Sequence, residues 1–157
     1  MSWLEKIVLA FLMVSLSAIF LISTTEVFRR YIIGRSFVWA DELCRYILAY
    51  IAFLGGSLAY KNNGLVRLDL VQNRLGAKGK LLFSLVTNTI VLVVGILLLI
   101  RGFQVTFSPV LLRQLSMGLK IPMATMYAAI PIGFALLVLF ALERYIIILQ
   151  DYEKGGK

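Results

Sequence analysis

The chain has 157 residues, 61% of them hydrophobic and only 15% charged, with a mean hydropathy of +0.91. Soluble domains carry about 25% charged residues, so an ordinary soluble fold is excluded, and the apolar content excludes disorder. Histidine is absent and Cys44 is the single cysteine, which removes His-centred metal, haem or acid–base chemistry, CxxC motifs and any intrachain disulfide. No cofactor is expected. The net charge of +8 would point to nucleic acid in a soluble domain. Here it reads as basic loops against anionic phospholipid headgroups, and not as nucleic-acid binding.

A membrane helix needs about 20 predominantly apolar residues. The first candidate is Ile7 to Thr25, 19 residues without a charge. Its apolar run exceeds the ~7–15 residues of a signal-peptide core and no A-x-A site closes it, so it is expected to be a retained helix. The second has only 15 uncharged residues, Tyr46 to Tyr60. It reaches spanning length if the helix starts near Trp39 or Asp41 and carries Glu42 and Arg45 in its first turns. The third is Leu81 to Ile100. The fourth is Ile121 to Leu142, which includes Pro122 and Pro131. A proline inside a membrane helix is tolerated where a neighbouring helix satisfies the freed carbonyl, so Pro131 is expected to face protein. The reading is an all-α integral membrane domain over 1–157, with four spans at about 7–28, 40–61, 81–101 and 121–147.

Between spans two and three, Leu65, Leu68, Val71 and Leu75 share one helical face while Arg67 and Arg74 fall elsewhere. This predicts a short amphipathic interfacial helix at 65–76, with a plain connecting loop as the alternative. The link 102–120 is uninformative: its apolar residues suit either the membrane interface or a partner. Counting cations places nine on the side of the termini and seven opposite. The densest cluster is Lys61, Arg67, Arg74, Lys78 and Lys80. By the positive-inside rule both termini are expected in the cytoplasm.

Helices in lipid associate through small residues and polar contacts. In span two, Glu42, Arg45, Ala49, Ala52, Gly56 and Ala59 form one stripe, with Glu42 and Arg45 at a spacing that allows an ion pair. The stripe suits either a seam with another subunit or packing within the four-helix unit. Asn88 should point into protein, because an amide facing lipid is unfavourable. A structural interhelical hydrogen bond is the simpler role for it. No charge lies near the middle of any span, where it would cost on the order of 2.5–3.5 kcal/mol and usually marks a pathway. No span is expected to be broken as in discontinuous transporter helices. The chain reads as a scaffold or accessory subunit, not an enzyme.

One ordered set of residues carries a family resemblance: Arg30-Tyr31, Gly34, Ser36, Trp39, Asp41-Glu42, Gly55-Gly56 and Asp69, then Ile121-Pro122, Tyr127 and Pro131-Ile132-Gly133. The chain resembles the small membrane subunit (Q-type) of tripartite ATP-independent periplasmic (TRAP) transporters over nearly its whole length. It departs at Leu65, where many relatives carry a histidine, and at Glu26, where many carry a neutral polar residue. An ion pair of Glu26 with Arg30, four residues on, would compensate.

The resemblance implies a bacterial inner-membrane secondary transporter. A periplasmic binding protein delivers an organic acid, of the sialic acid or C4-dicarboxylate type. A large membrane subunit moves it, driven typically by a sodium gradient, and the small subunit braces the large one. On this reading Trp39 anchors span two at the interface. Arg30, Glu42 and Arg45 form a polar cluster that fixes the angle between spans one and two or reaches the large subunit. Ala52, Gly55 and Gly56 permit close helix approach. Arg29, Arg30 and Arg35 meet headgroups or help dock the binding protein. The rival readings are a self-sufficient four-helix exporter, which wants a carboxylate in the first span, and a cofactor-free membrane anchor of another complex.

Overall fold

The computed structural model describes residues 3–62 and 77–155. Among these, four helices are long and apolar enough to cross a membrane. Helix α1 (Trp3–Ile32) is followed by α2 (Val38–Lys61), α3 (Ala77–Thr106), two short helices α4 (Pro109–Arg113) and α5 (Ala124–Tyr127), and α6 (Ala129–Gly155). One isolated antiparallel bridge pairs Leu115 with Pro122. The all-α, four-span architecture expected from the sequence is the one observed. The amphipathic helix expected at 65–76 lies outside the described residues.

Helix ends follow local chemistry. Helix α1 stops where Gly34 takes φ +72°, a left-handed conformation that glycine adopts without steric cost. Arg29 and Arg30 occupy its last turn, beside the negative end of the helix dipole. Helix α2 opens at Val38, so Trp39, Asp41, Glu42 and Arg45 sit in its first turns. At ~1.5 Å per residue, the 30 residues of α1 and of α3 outreach a ~30 Å hydrocarbon core. Their ends stand in the headgroup layers or the helices tilt.

Helix α1 packs on α2, α2 on α6, and α6 most extensively on α3. The spans therefore form an open row, α1–α2–α6–α3. Only 11% of the apolar stretch of α1 and of α3 is buried against protein, compared with 28% for α2 and for the span that begins at α5. Val8, Leu54 and Leu58 make one apolar cluster and Tyr60, Phe140 and Ala141 another, with Leu136 packed on both.

Helices α2 and α6 cross closely at Gly133. A Cβ on Gly133 would lie 2.5 Å from the Phe53 Cβ and 3.0 Å from its carbonyl carbon, so the two backbones meet only because no side chain is there. The expected close approach at Gly55 and Gly56 does not occur among the described residues. A Cβ on Gly56 would meet nothing within 4 Å, and one on Gly55 would only touch Leu12. Those glycines lie off the side of α2 that faces α6.

The fourth span begins later than expected. Residues 121–123 belong to a hairpin, in which Ser116 N–H donates to the Ile121 carbonyl at 2.9 Å and Met123 N–H donates to the Gln114 carbonyl at 2.9 Å. Pro122 is bridged with Leu115 between these two bonds, a position whose missing N–H the pairing does not need. The span is also interrupted at Ala128, between α5 and α6, in keeping with a proline inside it. Pro131 is the cause. It cannot donate to the Tyr127 carbonyl four residues back, and the Thr106 hydroxyl of α3 donates to that carbonyl instead, at 3.1 Å. The Tyr50 hydroxyl of α2 caps the Thr125 carbonyl at 2.7 Å. Pro131 itself is buried, seated against Gly102, where a Cβ would come within 3.3 Å of the proline nitrogen.

Candidate functional site

The polar side chains of the described residues gather at the two ends of the helix row. At the end where α1 turns into α2, each of two carboxylates holds a loop. Glu26 accepts the Ser36 hydroxyl at 2.5 Å and the Phe37 N–H at 3.1 Å, and Arg30 lies 3.7 Å away. Glu26 is only 6% exposed, so this carboxylate stitches the α1–α2 turn from within. Glu42 does the same for the link between α3 and α5. Its Oε2 accepts the N–H groups of Gly118 at 2.7 Å and Leu119 at 3.0 Å, while the Tyr46 hydroxyl reaches Oε1 at 3.5 Å. Gly118 is required at this contact, because a Cβ would come within 2.7 Å of Glu42 Oε2 and 2.8 Å of the Val38 carbonyl. Lys120 completes the turn with φ 54°, an uncommon conformation for a residue with a side chain.

At the opposite end the ties are between side chains. Lys61 of α2 lies 2.7 Å from Glu143 of α6 and 3.5 Å from Glu5 of α1, and its ammonium sits 4.7 Å from the Phe140 ring centre. One cation therefore joins three spans. The fourth span in the row is tied by Asn88 of α3, which is buried. It accepts the Tyr60 hydroxyl of α2 and donates to the Ala141 carbonyl of α6 at 3.1 Å. Thr89 of α3 is hydrogen-bonded to Tyr145 of α6. With their polar groups paired in this way, buried amides and charges become sources of fixed geometry.

Several residues singled out from sequence are dispersed by the fold. Glu42 and Arg45 do not pair, because Glu42 faces the amides of the hairpin while Arg45 is exposed. Arg30 joins Glu26 and not Glu42, so the expected Arg30–Glu42–Arg45 cluster separates into two carboxylate-centred joints. Trp39 is 39% exposed and packs its ring 5.2 Å from that of Phe37. The Arg29 guanidinium lies over the Phe37 ring at 3.5 Å, and Arg35 is exposed. In the small-residue stripe, Ala52 is exposed and Ala49, Gly56 and Ala59 are half-buried. Tyr127 contributes its backbone carbonyl to the Pro131 joint.

Sequence reasoning missed the Glu5–Lys61–Glu143 group, counting Lys61 only among the cations that set orientation. Their signal was one cation and two carboxylates at one membrane level in a chain with few charges. It also missed Gly133 as the crossing residue and Glu42 as the holder of a distant loop. A cavity of about 150 Å³ opens beside Glu26, lined by Ser23, Arg30, Asp41 and Cys44 among others. Among the described residues no cluster of His, Cys, Asp or Glu is arranged to hold a metal ion. The arrangement positions helices and loops.

A row of four apolar helices joined by polar ties suits a membrane subunit, and comparison with known proteins agrees. Residues 19–151 match the family described as tripartite ATP-independent periplasmic transporters, DctQ component. The chain belongs to that family: it is a multi-pass membrane component of a TRAP transporter, of the small permease type, and not an enzyme. It is similar to the isethionate TRAP transporter permease protein DctMQ of Oleidesulfovibrio alaskensis, at 24% identity over 85% of this chain and 22% of that protein. It is also similar to the sialic acid TRAP transporter small permease protein SiaQ of Vibrio cholerae, at 23% identity over 90% of this chain and 79% of that protein. The chain thus spans about a fifth of the first relative and most of the second.

Proposed function

We propose that this chain pairs with a large permease subunit in the bacterial inner membrane, with both termini in the cytoplasm. There it braces the large subunit during cation-gradient-driven uptake of an organic acid delivered by a periplasmic binding protein. The observation that carries the pairing is the stripe on α2. Ala52 is exposed and, among the described residues, a Cβ on Gly56 would meet nothing within 4 Å, so these small residues leave room for a close helix from outside. A relative in which a region like this one makes up 22% of a longer permease protein supports the same reading. Isethionate and sialic acid, named for the two relatives, are both organic acids, which supports that solute class. The exposed Arg35 and the half-exposed Arg30 offer the binding protein a basic approach surface by electrostatic steering.

The test is copurification. A tagged chain should recover the large subunit, and Gly56→Leu should lower that recovery while leaving the chain itself folded. Unchanged recovery would place the seam elsewhere. Uptake in vesicles containing all components, with sodium and proton gradients imposed separately, identifies the coupling ion. Transport by this chain alone would overturn the accessory role. Charge reversal at Arg35 should lower uptake in a salt-sensitive manner.

A further inference from the structure

The segment between α3 and α5 is held firmly, yet its outward side chains are apolar. Met117 is 93% exposed, Val110 70%, Leu115 58% and Leu112 47%. In a water-facing loop such a set would be costly to expose. Its height in the molecule is fixed by Gly118, where a Cβ would lie 3.0 Å from the Cα of Trp39 and 2.8 Å from the carbonyl oxygen of Val38. The hairpin therefore lies beside the first turn of a membrane-spanning helix, level with an indole of the kind that marks the membrane interface.

Two further observations agree with that depth. Irregular backbone near the hydrocarbon layer must have its polar groups satisfied within the protein, and much of this segment's backbone is paired in that way. Ser108 caps α4 through the Leu111 N–H. Leu112 N–H donates to the Ser108 carbonyl and Gln114 N–H to that of Val110, while hairpin bonds join 114 to 123 and 116 to 121. The Glu42 carboxylate takes the two amides at the turn. The charge pattern is one-sided: from Arg101 to Leu142 the sequence contains Arg101, Arg113 and Lys120 and no Asp or Glu. Cations among exposed apolar residues are complementary to phospholipid phosphates over acyl chains.

We propose that α4 and the 114–123 hairpin form an interfacial foot, inserted into the headgroup layer of the leaflet opposite the chain termini, with phospholipid as the occupant of its apolar face. Glu42 is the positioning residue that fixes the foot to α2. The proposal goes beyond the pairing described above and does not depend on which solute is carried.

The experiment places a nitroxide label at Met117→Cys or Val110→Cys, each with Cys44→Ser, and at Arg35→Cys as a water-facing control. The full chain is reconstituted in phosphatidylethanolamine–phosphatidylglycerol vesicles with and without the large permease subunit. Collision rates with oxygen, which concentrates in lipid, and with a water-soluble nickel chelate are then compared. The expected result is a several-fold higher oxygen-to-chelate ratio at 117 and 110 than at 35, in both preparations. A ratio at 117 and 110 equal to that at 35 would overturn the proposal, since the segment would then stand in water. Exclusion of both reagents when the large subunit is present would overturn it in favour of a protein occupant. Both outcomes are distinct from failure of copurification, which bears on pairing alone.

Discussion

The two ends of the helix row solve the same problem by different means. Where α1 meets α2, Glu26 and Glu42 each hold backbone amides of a neighbouring loop. At the other end, Lys61, Glu5 and Glu143 hold one another, and Asn88 ties α2, α3 and α6. A carboxylate on backbone amides fixes the path of a loop and leaves helix order to packing. A side-chain tie between spans fixes the helices themselves. Damage at the first end should therefore stay local, while damage at the second should spread through the row.

Lys61→Met tests this contrast most severely. It leaves the nearly buried Glu5 beside Glu143 without the shared cation, and breaking a buried pair costs about 3–5 kcal/mol. Since Glu143 is 45% exposed, about 3 kcal/mol is expected, seen as a large drop in the thermal unfolding midpoint in detergent. Asn88→Ala comes next. It strands the Tyr60 hydroxyl and the Ala141 carbonyl, for about 1–2 kcal/mol. Thr106→Val, which frees the Tyr127 carbonyl beside Pro131, should cost about 0.6–1 kcal/mol by the same measurement, in line with interhelical hydrogen bonds in membranes.

At the loop end the expected readout changes. Glu42→Gln should leave the midpoint nearly unmoved but speed amide hydrogen exchange at Gly118 and Leu119, the two N–H groups it now holds. A collapse of global stability in this variant would erase the distinction between the ends. Arg30→Gln should have the smallest effect of all. Its guanidinium is 55% exposed and 3.7 Å from Glu26, and such pairs contribute little. The Ser36 and Phe37 bonds remain in place, so the midpoint should stay within measurement error.

The spans were legible because a run of about 20 apolar residues has few other physical meanings. The inward direction of Asn88 followed from the cost of leaving an amide in lipid. What the sequence could not supply was the order of helices in the row. Gly55–Gly56 and Gly133 look alike as sequence, and only the packing of α6 on α2 decides that Gly133 sits at the crossing. Glu42 illustrates the same limit. Arg45, three residues away, was the obvious local partner, but its true partners lie 76 and 77 residues further on. Pro122 and Pro131 were both read as helical residues, although one lies within a hairpin and the other interrupts a span. A proline's meaning depends on who supplies or needs the missing donor.

The open row has a further consequence. Helices about 10 Å across, laid side by side in a single file, make a partition with two broad faces. On the proposed pairing, one face leans on the large subunit while the other stays wetted by lipid. The ties made by Lys61 and Asn88 at one margin keep such a thin partition from fanning apart when it is pushed.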